Sequence, residues 1–111
     1  MVSPKIRLLL GDAIALGPGK AALLIAIDKN GSISAAAREM GMSYRKAWGL
    51  IDSINNDFKD PIVVKNTGGK GGGGATISTS GKETLQRYLS MEVTAAKSII
   101  KDLEWFSKKL N

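Results

Sequence analysis

The chain has 111 residues, a formal net charge of +6, and neither cysteine nor histidine. That length suits one domain with its own core, and the missing thiols and imidazoles exclude disulfides, cysteine nucleophiles, histidine bases and a zinc site together. The basic balance points to a polyanionic partner, although an excess of this size also occurs on proteins that bind nothing anionic.

No spacing among the carboxylates, serines, lysines and tyrosines resembles a paired acid and base in one pocket, so the sequence reads as a non-enzyme with no catalytic or metal-binding residues. The leading apolar run is interrupted by Asp12 and glycines well short of the roughly 20 residues that a membrane span needs. The run Ile6 to Leu10 also lacks the cleavage pattern of a secretory signal. A cytoplasmic protein with no membrane partner is expected.

Residues Lys5 to Leu16 alternate loosely around Gly11-Asp12, which suits two short strands or one bent strand. Gly17-Pro18-Gly19 breaks the chain, and KAALLIAIDKNG follows as a first helix, closed by Asn30-Gly31 in a left-handed turn. Ser32 and Ser34 both qualify as N-caps for the short alanine-rich run AAAREM, which Gly41 stops. Ser43 caps a third helix, YRKAWGLIDSINNDF, whose Ala47, Leu50, Ile51, Ile54 and Phe58 fall on one buried stripe, with Arg45, Trp48, Gly49 and Asp52 opposite.

After Asp60-Pro61, the β-rich runs IVVKNT and ATISTS flank a glycine segment and pair as a hairpin. Gly69, Gly71 and Gly74 spell G-x-G-x-x-G, but a strand rather than a helix follows, so the dinucleotide reading fails, as does a phosphate loop. A flexible linker is the bland alternative. A glycine tip carrying Lys70 instead lets backbone N–H groups approach a surface such as a phosphodiester backbone.

Ser80, with Glu83 three residues on, predicts a capping box for a last helix that continues to about Leu110. Along it Leu85, Leu89, Ala96, Ile99, Leu103, Phe106 and Leu110 follow coiled-coil spacing, interrupted by Glu92. A helix of roughly 30 residues is about 45 Å long, more than so small a domain covers, so a homodimer through this helix is expected.

Two helices joined across Gly41, with Ala37 and Ala47 permitting a close crossing, fit a helix-turn-helix. Its second helix presents Ser43, Tyr44, Arg45, Lys46 and Trp48 to a major groove: a hydroxyl, an aromatic ring, a guanidinium suited to guanine and a phosphate-seeking ammonium. The bland readings stand beside this. Arg45 and Lys46 also suit a solvated face, Trp48 also suits packing against the domain, and Asp52 confines the groove-facing part to the first two turns. The order helix, helix, helix, hairpin is a winged helix, making the fold class α+β, mostly α, with a glycine-rich wing and a long C-terminal dimerisation helix. Its parts are a leading strand region (1–18), a helix-turn-helix core (19–60), a wing hairpin (61–79) and a dimerisation helix (80–111).

The segments GSIS (31–34), MSYRKAW (42–48) and TGGKGGGGATIS (67–78) resemble the N-terminal DNA-binding domain of ModE-type molybdate-responsive transcriptional regulators, and the likeness spans nearly the whole chain. The resemblance implies a homodimer on a palindromic operator in double-stranded DNA, with the leading strands and terminal helix at the dimer interface. By motif, Ser34, Ser43, Tyr44, Arg45, Lys46 and Trp48 belong to the helix-turn-helix, and Thr67, Lys70 and Gly71 to the wing. Lys65 and Lys70 are then expected to neutralise phosphate, and Thr67 to donate to a phosphate oxygen. Full-length members bind the oxyanion in separate C-terminal domains, whereas this sequence stops at Asn111. No cofactor is therefore expected, molybdate enters by family analogy alone, and a separate ligand-sensing protein is one candidate partner. A non-specific architectural DNA-binding protein and a protein-interaction module remain as alternatives.

Overall fold

The computed structural model describes residues 2–66 and 74–111. It opens on a hairpin, β1 (Leu8–Leu10) and β2 (Ala13–Leu16), paired antiparallel through Leu9↔Ile14 and Leu10↔Ala13. Gly11 supplies the positive φ of 66° that the turn requires. Three exposed leucines fill β1, whereas Leu16 at the end of β2 is fully buried and leads the chain into the core.

Helix α1 (Pro18–Asn30) starts with proline in its first turn, where a missing N–H costs nothing, and ends on Gly31 at φ 70°, whose N–H donates to the Ile27 carbonyl at 2.8 Å. Helix α2 (Ile33–Glu39) is capped by Ser32, whose hydroxyl accepts the Ala35 N–H at 3.0 Å. Of the two candidate caps, Ser34 therefore sits inside the helix. The turn after α2 is a Schellman motif: the Met42 N–H reaches the Ala37 carbonyl at 3.0 Å and the Gly41 N–H reaches Arg38 at 3.2 Å, with Gly41 left-handed. Ser43 then caps α3 (Tyr44–Asp57), accepting the Lys46 N–H at 3.0 Å.

Ala21, Leu23, Leu24 and Ile27 of α1, Ile33, Ala36 and Ala37 of α2, and Ala47, Ile51 and Ile54 of α3 form one core. Leu50 and Phe58, predicted on the same stripe of α3, pack at its edge. Strand β3 (Val63–Asn66) pairs antiparallel with β4 (Gly74–Ile77), from Val63↔Ile77 to Asn66↔Gly74. The far edge of β4 is covered too, because the Ala75 N–H donates to the Gly31 carbonyl at 3.0 Å and Gly74 bridges Ser32. The wing stem and the turn between α1 and α2 thus share one small sheet.

Two expectations about the last helix need correction. Its cap is Ser78, not the Ser80 and Glu83 box: the Ser78 hydroxyl accepts the Gly81 N–H at 2.9 Å and donates to the Pro61 carbonyl at 2.6 Å. The Pro61 carbonyl at the entrance to the wing gives Ser78 a second partner. The helix is also two helices, α4 (Thr79–Ser98) and α5 (Ile100–Lys109), separated at Ile99. There the Ser98 hydroxyl donates to the Ala95 carbonyl at 2.8 Å and competes with the Ile99 N–H, which reaches the same oxygen at 3.3 Å. Such back-bonding bends helices.

Helix α4 buries Gly81, Leu85 and Tyr88, and no residue beyond Tyr88 is buried. The chain accordingly measures 53 × 30 × 24 Å. No helix among the described residues is long and apolar enough to cross a membrane.

Candidate nucleic-acid interface

Capping on both sides of the Gly41 turn leaves the first turn of α3 projecting from the domain. Ser43, Tyr44, Arg45 and Lys46 are all exposed there, while Ala47 behind them is fully buried and anchors the turn. Ser43 has its hydroxyl committed to the cap, so its role at this surface is to hold the helix start in place. Ser34 is exposed in the first turn of α2.

The side chains of α3 divide into two sides. Tyr44 and Trp48, one turn apart, meet edge to face with centroids 6.0 Å apart, and Lys65 of β3 places its ammonium 3.4 Å from the Trp48 ring centroid. Lys46 lies on another flank, where with Arg7, Lys20 and the apolar Ile14, Met40, Met42 and Leu50 it lines an open cleft of about 390 Å³. Lys20 is already committed to the Ile14 carbonyl and, at 3.2 Å, to the Ser53 hydroxyl. Arg45, the residue after Tyr44, is exposed, and Asp52, two turns further on, is exposed as well. Trp48 is half-buried against the core edge, as the packing alternative in the sequence expects.

Among the described residues one ion pair forms, between Lys29 and Glu39 at 2.7 Å, with Asn30 adding a 3.4 Å contact to Glu39. The hydrogen bond to Glu39, and then its charge, raise the Lys29 pKa, and the hydrogen bond from Lys29 is the main cause that lowers that of Glu39. Arg45, Lys46 and Lys65 carry no such carboxylate partner and keep their charge for other use.

Strand β3 is held by a residue that sequence reasoning missed. The Asn55 side-chain oxygen accepts the Ile62 and Val63 N–H groups at 2.9 and 3.1 Å, and its amide donates to the Val63 carbonyl at 3.0 Å. Asn55 falls in a polar stretch of α3, and nothing in its spacing announces a partner eight residues on. The predicted wing residues Thr67, Lys70 and Gly71 lie outside the described residues.

Of the predicted seam, Leu85 belongs elsewhere: at 9% exposure it packs into the domain's own core, because the first turns of α4 still lie on the domain. Leu89, Ile99, Phe106 and Leu110 are exposed, and Ala96 and Leu103 half-exposed. Glu92, the interruption, faces inward: its carboxylate lies 3.5 Å from the Ile6 N–H and 3.4 Å from the Tyr88 hydroxyl. No group of three or more His, Cys, Asp or Glu side chains among the described residues is arranged to hold a metal ion.

Residues 20–81 match the model of the bacterial regulatory helix-turn-helix protein, lysR family. The chain is 43% identical over 96 residues to the molybdenum-pterin-binding protein MopB of Rhodobacter capsulatus, covering 86% of this chain and 34% of that one. It is 35% identical over 97 residues to the molybdenum transport protein ModE of Azotobacter vinelandii (87% and 34% covered). To the DNA-binding transcriptional dual regulator ModE of Escherichia coli K12 it is 37% identical over 83 residues (75% and 32% covered). It thus spans about a third of the length of these relatives. Among solved structures, the DNA-binding domain of CbnR in complex with DNA superposes with a TM-score of 0.59 at 15% identity, over 76% of this chain and 91% of that one. ArgP from Mycobacterium tuberculosis superposes with a TM-score of 0.55 at 18% identity, over 76% and 30%. These likenesses establish the winged-helix fold.

Proposed function

The chain belongs to the bacterial regulatory helix-turn-helix family of the lysR type, as a ModE-type DNA-binding domain, and from that premise we propose that it binds a palindromic operator as a homodimer and controls genes of molybdenum transport or use. The observation that carries the DNA-binding half is the exposed first turn of α3, where Tyr44 packs on Trp48, Trp48 meets Lys65 of the wing stem, and no carboxylate pairs the Arg45 charge. Arg45 reads a guanine edge in the major groove; Lys46, on the cleft flank with Arg7, meets the phosphate backbone. Ser34, Thr67, Lys70 and Gly71 complete the contacts to the backbone.

The homodimer rests on the apolar side chains left uncovered on β1 and along α4 and α5, which exceed what a single copy buries. The molybdenum connection rests on the names of the relatives alone.

Selection of bound duplexes from a random pool at physiological salt, with and without molybdate, tests the proposal. The expected result is an enriched palindrome, bound at least about a thousandfold more tightly than random duplex. A steep salt dependence without sequence preference would instead mark an architectural DNA-binding protein.

A further inference from the structure

The arrangement around Trp48 deepens the DNA-binding reading and rests on it. We infer that Trp48 is a positioning residue that fastens the wing stem to the recognition helix, and that Lys65 acts through the Trp48 ring rather than on a phosphate.

Trp48 and Asn55 stand seven residues apart on α3, two turns along one face and about 10 Å in rise. Val63 and Lys65 stand two residues apart on β3, so they line one face of the strand about 7 Å apart. Asn55 grips the start of β3 through two hydrogen bonds with Val63 and one from the Ile62 N–H, and Trp48 receives Lys65. The strand therefore runs antiparallel to α3, from the last turn of the helix at Asn55 to its second turn at Trp48, held at two points. Through Asn55 alone α3 holds β3 at one point; with Trp48 as well, the direction of the strand along the helix is set.

Indole is the strongest aromatic partner for an ammonium, and a Lys65 nitrogen 3.4 Å from the ring centroid is in close contact. Tyr44 closes the ring from another side, edge to face. With Lys65 on its face, Tyr44 at its edge and part of its surface on the core, Trp48 offers little to a base. What it supplies is alignment: β4 is already tied to the turn between α1 and α2 through Ala75 and Gly31, so fixing β3 on α3 leaves the stem no direction in which to pivot. The stem then leaves the domain in a direction fixed relative to α3.

The test has two arms. In the DNA-free protein carrying Trp105→Phe, Trp48 is the remaining tryptophan, and Lys65→Met should shift its emission and lower its quenching by iodide, an anion that the ammonium attracts, relative to quenching by neutral acrylamide; unchanged emission overturns the contact whether or not the chain binds DNA. On the selected operator, Trp48→Leu and Lys65→Met should each weaken binding about three- to tenfold. The double variant should be no more than about twofold weaker than either, and Trp48→Phe, which keeps an aromatic face, should stay within about threefold of the parent. Additive losses, or a changed base preference at one operator position in Trp48→Leu, would overturn positioning in favour of independent DNA contacts. Thermal melts identify a variant that fails to fold, in which case the Lys65→Met and Trp48→Phe pair decides. If the parent selects no operator, the DNA-binding reading fails while the fluorescence arm still decides the contact.

Discussion

Gly81 shows how closely the wing and α4 are packed. A Cβ placed there would lie 2.5 Å from the Ile62 carbonyl oxygen and 2.7 Å from the Ile77 Cγ2, so Gly81→Ala must push the wing stem off the helix. The expected loss is about 1–3 kcal/mol in urea unfolding; an unchanged midpoint would mean that the two elements can separate freely. Tyr88 performs the complementary task at the other end of the core, where its hydroxyl donates to the Ile6 carbonyl at 2.6 Å and ties the leading segment to α4. Burial first, then the charge of Glu92, raise its pKa above the ordinary value of about 10. A raised folded pKa means that the protonated hydroxyl stabilises the fold: the contribution is complete below about pH 10 and is lost as pH rises through the folded value. Melting at pH 8 and pH 11 should show a smaller alkaline loss in Tyr88→Phe than in the parent, and equal losses would remove Tyr88 from that account.

At the level of the elements, the proposed function assigns two different contacts to neighbours in the first turn of α3. Arg45→Ala is expected to cost about 1–3 kcal/mol on the operator and to relax preference at one base pair, whereas Lys46→Ala should weaken all duplexes alike and reduce the salt slope by about one. Binding isotherms across salt and operator variants check both, and a uniform loss for Arg45→Ala would move it to the backbone. The identities and order of these elements were legible because each carries a local mark: Gly31 and Gly41 for left-handed helix ends, Ser43 for a cap, equal β-rich flanks for a hairpin. What was not legible depends on partners brought in by the fold, or on a side-chain bond that competes with the helix's own ladder. Ser78 outcompetes Ser80 because the Pro61 carbonyl lies beside it, Asn55 acquires its role when β3 arrives, and Ile99 parts α4 from α5 through a serine hydroxyl bond that periodicity does not register. Glu92, a flaw in the seam by spacing, finds its reason in Ile6 and Tyr88.

For the molecule as a whole, the 53 Å length and the uncovered Ile99, Ile100, Trp105, Phe106 and Leu110 are the basis of the proposed homodimer. Leu103, half-exposed among them, is the point at which a charge would disrupt a pairing seam without touching the core. Sedimentation equilibrium should show Leu103→Asp as a monomer with the parent's melting behaviour, and its affinity for the palindrome should fall by about 100-fold as two half-sites cease to be held together. A variant that still sediments as a dimer would place the interface on β1 instead. Because the last buried side chain among the described residues is that of Tyr88, folding and the proposed pairing would draw on separate stretches of sequence. Under that proposal, substitutions past Ser98 would retune how strongly two copies associate, or exchange one coupling module for another, while the helix-turn-helix keeps its shape.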